Sequence, residues 1–292
     1  MNRSLLSMLT LFFAVSLYGQ SSFIEANPQV TYTEVDVPGA FTTVVTAINT
    51  GGDMVGYYNT LDAGPLHAFL LKNGVFTFLD YPGADVTVAS GINDSDVVVG
   101  YAELGTSQIP YSYGNGTFTP IHVSGLKAFS AVGINNGGDI VGCAEDNSGN
   151  TKAYFLRGQR YKLLSPPGNF IYSCANAINT SGEIVGSRGT GGKTKGFDFK
   201  SGRYSTIAFP QQLETEAWGI NDSGVISGWY LVLPASYNGF ILVNGTYTSF
   251  DYPGAMNTFA MGLNASAQVV GTYEDSQRNY HGFVSSPMTS IR

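Results

Sequence analysis

Charge is scarce in this sequence: Asp, Glu, Lys and Arg make up 12% of its 292 residues. Basic residues are the scarcer sign, 14 against 21 acidic, for a formal charge of −7. That balance argues against a nucleic-acid partner or an anionic lipid surface, because both need a basic footprint that displaces counterions. Histidine occurs three times, at His67, His122 and His281, and cysteine twice, at Cys143 and Cys174. So few ligands leave little room for metal or acid–base chemistry. There is no Gly-x-Ser-x-Gly elbow and no close His or Cys pair with zinc spacing, so no catalytic set, cofactor or metal site is expected. Long apolar runs are also missing. The longest, Leu5 to Val15, has about 11 residues where a membrane helix needs roughly 20, and no membrane span is expected.

What the chain has instead is glycine, 37 residues, and aromatics, 13%. Together with abundant Thr and Val they suit an all-β protein with many tight turns, and they exclude a disordered chain. Residues 1–20 read as a signal peptide: Arg3 supplies the basic start, Leu5 to Val15 the apolar run, and Ser16 to Gln20 a short polar end. Residues 21–30 read as a linker. Loss of Arg3 leaves 13 basic residues and a charge near −8. The expected location is outside the cytoplasm: extracellular, cell-surface or periplasmic.

An Ile-Asn or Leu-Asn pair recurs at Asn49, Asn93, Asn135, Asn179, Asn221 and Asn264, at spacings of 44, 42, 44, 42 and 43. Seven residues after each Asn stands a glycine, from Gly56 to Gly271, and 18 to 20 residues after it an aromatic: Phe69, Tyr111, Tyr154, Phe197, Phe240 and Phe283. Each period holds four β-like runs, in the first copy Thr43 to Asn49, Met54 to Tyr58, His67 to Lys72 and Val75 to Tyr81. Asn-x-x-Gly joins the first two, with Asp96 and Ala267 replacing the glycine in two copies. Asn-Gly joins the last two at residues 73–74, 115–116 and 244–245. Four antiparallel strands per period describe a propeller blade. The segment Thr31 to Val37 matches a fourth strand with no partners before it, and the last copy stops near Ser286 after its third strand. The expectation is a six-bladed β-propeller over residues 31–286, with the N-terminal strand closing the C-terminal blade and 287–292 as a tail. Pro120 belongs on a blade's outer edge, where a missing N–H is tolerated.

His67-Ala68-Phe69, its variant His281-Gly282-Phe283, the run at 219–224 and Asp-Tyr-Pro-Gly-Ala at 80–84 and 251–255 resemble the HAF repeats of bacterial exported proteins. The resemblance covers nearly all of residues 31–286. It implies an extracellular or surface location and no established activity. Some such proteins carry a C-terminal sorting anchor; Pro287 to Arg292 has none, so release or periplasmic retention is expected.

Three functions compete. The favoured one is a binding module whose loop-rich face contacts extracellular glycan or protein. Its candidate residues are Trp218, Trp229 and Tyr230 beside the charged Glu216 and Arg188, on the view that exposed aromatics suit a sugar or peptide. The second is a carbohydrate-active hydrolase or lyase using two of Glu103, Glu145, Glu216 and Glu274, which would have to cluster at the channel mouth. The third is a structural surface repeat. His67 and His281 share a repeat position that elsewhere holds Ile109, Lys152, Lys195 and Asn238, which argues for scaffold. His122 takes the place of Asp36, Asp80 and Asp251 and reads as surface. Asp146 to Asn150 looks like a calcium loop without its bidentate Glu. Cys143, expected on the second strand of the third blade, and Cys174, expected just ahead of the first strand of the fourth, are a candidate disulfide in an oxidising compartment. The oligomeric state is left open, with a monomer expected.

Overall fold

The computed structural model describes residues 30–123, 127–146, 148–168, 170–190 and 193–288. The expected signal peptide and most of the linker and tail lie outside them. Among the described residues there are 24 strands and no helix. In chain order, β1 (Tyr32–Val35) stands alone. It is followed by β2 (Thr42–Ile48), β3 (Met54–Asn59), β4 (His67–Lys72) and β5 (Val75–Leu79). Next come β6 (Val86–Ile92), β7 (Val98–Leu104), β8 (Ser107–Gly114) and β9 (Thr117–Pro120). The third set is β10 (Lys127–Ile134), β11 (Ile140–Glu145), β12 (Thr151–Arg157) and β13 (Arg160–Leu164). The fourth is β14 (Tyr172–Ile178), β15 (Ile184–Thr190), β16 (Lys193–Lys200) and β17 (Arg203–Ile207). The fifth is β18 (Thr215–Ile220), β19 (Ile226–Val232), β20 (Ser236–Val243) and β21 (Thr246–Phe250). The last is β22 (Asn257–Leu263), β23 (Val269–Glu274) and β24 (Tyr280–Ser285).

Each set is an antiparallel meander, and β1 supplies the fourth strand of the last, in the order β1-β24-β23-β22. One parallel bridge, Thr151 to Tyr172, links the third sheet to the fourth. In the first sheet the strands match the expected limits to within two residues: β2 ends at Ile48 because Asn49 leaves the ladder to cap the turn, β3 runs on to Asn59, and β5 ends at Leu79. Pro120 ends β9, an edge strand, as proline's missing donor requires.

The repeat signals now have physical causes. Each Asn accepts backbone N–H groups of its own turn, as Asn221 Oδ1 does from Ser223 (3.1 Å) and Val225 (3.0 Å). Its Nδ2 donates to the carbonyl of the next Asn: 49 to 93, 93 to 135, 135 to 179, 179 to 221, 221 to 264, and 264 back to 49. The glycine seven residues on lies under the first strand. A Cβ at Gly186 would overlap the Cys174 carbonyl and the Phe197 ring, and Phe197 and its five counterparts are fully buried over these glycines. Asp96 and Ala267 both adopt the left-handed conformation of the glycines they replace (φ 59° and 55°), so the Ala267 turn keeps the shape of the others.

Apolar clusters sit between consecutive sheets, for example Val55, Ala68 and Leu79 of the first against Ala89, Ile92 and Val98 of the second. The same kind of cluster joins last to first, with Val35, Val37 and Val270 on Val45 and Phe69.

Candidate functional site

Every first strand carries a β-bulge, at Thr46, Ser90, Val132, Asn176, Trp218 and Met261, and β10 has a second register shift between Ala128 and Ser130. A bulge re-aims its extra residue, and here five of the six line a central space of about 80 Å3. The Ile-Asn pairs line a second space, of about 90 Å3, at the end where first and second strands turn. A girdle of Ile48, Ile92, Ile134, Ile178, Ile220 and Leu263 borders both spaces, so the centre is pinched. The opposite end holds the loops that join second to third strands and each sheet to the next. Among the described residues, six of the nine exposed large apolar side chains are on those loops: Phe41, Leu61, Ile171, Leu213, Leu233 and Met256.

On β18, between this apolar rim and the girdle, Trp218 and Glu216 stand side by side, the indole Nε1–H donating to Glu216 Oε2 at 3.1 Å. Burial pushes the Glu216 carboxyl up to about 7, against the opposing hydrogen bonds from Trp218 and Ser187, while Glu214 adds to the rise. Burial, and then the charge of Glu216, also raises the Tyr172 phenol. Around the centre, the strand-1 position of Glu216 meets a strand-2 residue of the preceding sheet. Ser187 meets Glu216, Trp229 meets Phe259 (5.7 Å between centroids), and Cys143 meets Cys174. The last two are a disulfide with Cα atoms 5.0 Å apart, and Cys174 lies within β14, not ahead of it as expected.

The expected cluster of five residues is therefore divided. Trp218 and Glu216 come together at the centre. Trp229 is half-buried edge-on against Tyr237 and Phe259 between the fifth and sixth sheets. Tyr230 is a core residue, 5% exposed, stacked on Phe209 at 3.7 Å with its hydroxyl bonded to Ser249. Arg188 is 6% exposed, over the Phe170 ring, and donates to Pro167 O and Thr206 Oγ1. Neither Tyr230 nor Arg188 is an exposed contact residue. Arg188 follows Ser187 and Tyr230 follows Trp229 in the chain, but alternation along a strand turns them to the other face.

The candidate acids are dispersed over separate sheets, each with a local partner. Glu103 accepts from Gln108 (2.7 Å), Glu145 pairs with Lys127 (3.1 Å), and Glu274 is held by Asn257 and Arg278. Glu216 has none of these acids beside it, so the paired-carboxyl geometry of a glycosidase is not built from this set. Asp146 Oδ1 accepts from Ser148 N and Asn150 N within its own loop, and its Oδ2 lies 3.8 Å from Lys152 Nζ.

The two repeat positions that look interchangeable in sequence are partners in space. His67 Nδ1 lies 3.0 Å from Asp80, and Asn238 donates to Asp251 at 3.0 Å. His281 Nδ1 lies 2.6 Å from Asp36 Oδ2, and its Nε2 lies 3.4 Å from Asp275. His122 is exposed. At His281 alone a further acid arrives, Glu34 of β1, giving ligand atoms of Glu34, Asp36 and His281 that lie within 4.8 Å of one another.

Four-stranded meanders set side by side around a pinched centre define an all-β protein of the β-propeller class. The solved structures it resembles are propellers. TolB from Acinetobacter baumannii superposes with a TM-score of 0.56 at 11% identity, over 86% of this chain and 65% of that one. This chain thus spans slightly less than two thirds of TolB. AofleA from Arthrobotrys oligospora gives 0.55 at 11% identity, covering 90% and 88%. The SapL1 lectin in complex with alpha methyl fucoside gives 0.55 at 11% identity, covering 84% and 93%. At such identities the likeness carries the fold alone. No protein-family model matches the sequence, and no curated protein matches it.

Proposed function

We propose that the chain is an exported glycan-binding module, built as a closed six-bladed propeller of the HAF-repeat kind, that takes its ligand at the loop-rich end of the central channel. The observation that carries the reading is the Trp218–Glu216 pair. An indole face packs against the C–H groups of a pyranose, and a carboxyl group exchanges hydrogen bonds with its hydroxyls. Burial between Ser187 and the channel wall holds both side chains in place before a ligand arrives. The apolar rim formed by Phe41, Ile171, Leu213 and Met256 supplies contact area around that mouth. The channel narrows to the isoleucine girdle below, so the ligand enters from one side and does not pass through. The resemblance to a lectin solved with a fucoside makes fucosylated glycans the first class to try. Export is supported by the leader-like residues 1–20 and by the disulfide.

The test is a glycan-array screen of the chain beside Trp218→Ala and Trp229→Ala. Binding should fall at least about tenfold in Trp218→Ala, the loss of a central aromatic anchor, and should persist in Trp229→Ala. Binding that Trp218→Ala leaves intact would move the site elsewhere. No binding to any glycan would favour a protein partner at the same rim.

A further inference from the structure

At the outer edge of the last sheet, the first strand of the propeller meets the last. Glu34 lies on β1, Asp36 follows it, and both face His281 of β24. These groups are held before any ligand is considered. Tyr273 donates its hydroxyl to Glu34 Oε2 at 2.6 Å, and the Gly282 N–H donates to Asp36 Oδ1 at 3.1 Å. Asp275 approaches the far side of the imidazole, 3.4 Å from Nε2. Three carboxylates thus surround one imidazole. Among the described residues no lysine or arginine pairs with any of the three, and the nearby Arg278 is committed to Glu274. Even a protonated His281 leaves a net charge of −2 at this edge, where Glu34 is exposed and Asp36 and His281 are half-buried.

The molecule contains its own controls. His67–Asp80 and Asn238–Asp251 show that a third-strand donor on a fourth-strand aspartate is part of the repeat scaffold. Two residues before those aspartates stand Phe78 and Ser249, where the last sheet has Glu34. The extra carboxylate is therefore not required by the fold, and it turns a structural pair into a set of one nitrogen and two oxygen ligands.

We infer that Glu34, Asp36 and His281 form a binding site for a divalent transition cation of the zinc type. One imidazole with two carboxylates suits zinc better than calcium or magnesium, which prefer all-oxygen shells. The metal takes the Nδ1 lone pair, and any proton there is released to solvent. Nε2–H then points at Asp275, the outer carboxylate that commonly orients a metal-bound histidine. The exposed Glu34 and the half-buried Asp36 and His281 leave a coordination position open to water. The ligands come from opposite ends of the chain, 245 residues apart for Asp36 and His281, so the ion would clasp β1 to β24.

The test is zinc titration of the full chain by calorimetry, with melting temperature measured in zinc and in EDTA. Wild type should bind zinc and melt higher with it. Glu34→Gln and His281→Asn should each weaken binding more than about tenfold. His281→Asn recreates the Asn–Asp bond of the fifth sheet, so it should still fold. His67→Gln should leave the zinc response unchanged. Absence of zinc binding by wild type, or equal binding by His281→Asn and Glu34→Gln, would overturn the inference, as would loss of the response in His67→Gln.

Discussion

Glu216 is a carboxyl held in its acid form by burial, and its effect on stability has a definite sign. The folded group keeps its proton to about pH 7, whereas the unfolded group releases it near 4.5. Between those values the folded state binds the extra proton, so the stability this group contributes is present below the window and is lost as pH rises through it. Glu216→Gln removes the titration. Urea unfolding at pH 5 and pH 8 should show wild type losing on the order of 2–3 kcal/mol more than the variant between them. Equal losses would mean that Glu216 is solvated. The indole bond also makes Trp218 a reporter, and its fluorescence should titrate with the carboxyl. Both residues are candidates already in the sequence. Their direction is not legible there, because it depends on a bulge at Trp218 that inverts the simple alternation of β18.

Among the strands, the seam between the third and fourth sheets is the one closed covalently. Cys143 of β11 and Cys174 of β14 fill the positions that hold Ser187 and Glu216, or Trp229 and Phe259, at later seams. A bond closing a 31-residue separation restricts the unfolded chain by about 3–4 kcal/mol in the loop-entropy account. Cys143→Ser with Cys174→Ser should therefore lower unfolding free energy by about that amount, less the strain that is relieved. Thermal unfolding with and without reductant checks it: wild type should respond to reductant and the double variant should not. The strands themselves were legible from local signals. Asn-Gly turns, alternating Val, Thr and aromatics, and Pro120 at an edge act over a few residues. The cysteine pair was legible only as a possibility, since it joins neighbouring sheets.

For the whole molecule, the circle of asparagine amides and the apolar cluster between last and first sheets depend on β1 taking its place beside β24. Tyr32 packs on Phe250, Tyr252 and Phe283, while Val35 and Val37 face the first sheet. Removing residues 31–37 would expose the β24 edge and both apolar surfaces at once. Circular dichroism should show a melting transition lowered by 10 °C or more, roughly the effect of losing several kcal/mol in a protein of this size. A melting temperature equal to that of wild type would refute closure by this strand.

The sequence by itself determined the periodicity, the strand order within each sheet, the turns and the buried aromatics, because those follow from spacing and from contacts between residues near in the chain. It also singled out Trp218, Glu216 and the two cysteines as candidates. Only the tertiary structure decided which residues meet. Tyr230 and Arg188 went to the seams between sheets, Trp218 and Glu216 to the centre, and Glu34 to His281. The physical reason is that sheet-to-sheet contacts join residues a whole repeat apart, or the two ends of the chain, where a one-residue change of register reverses every side chain.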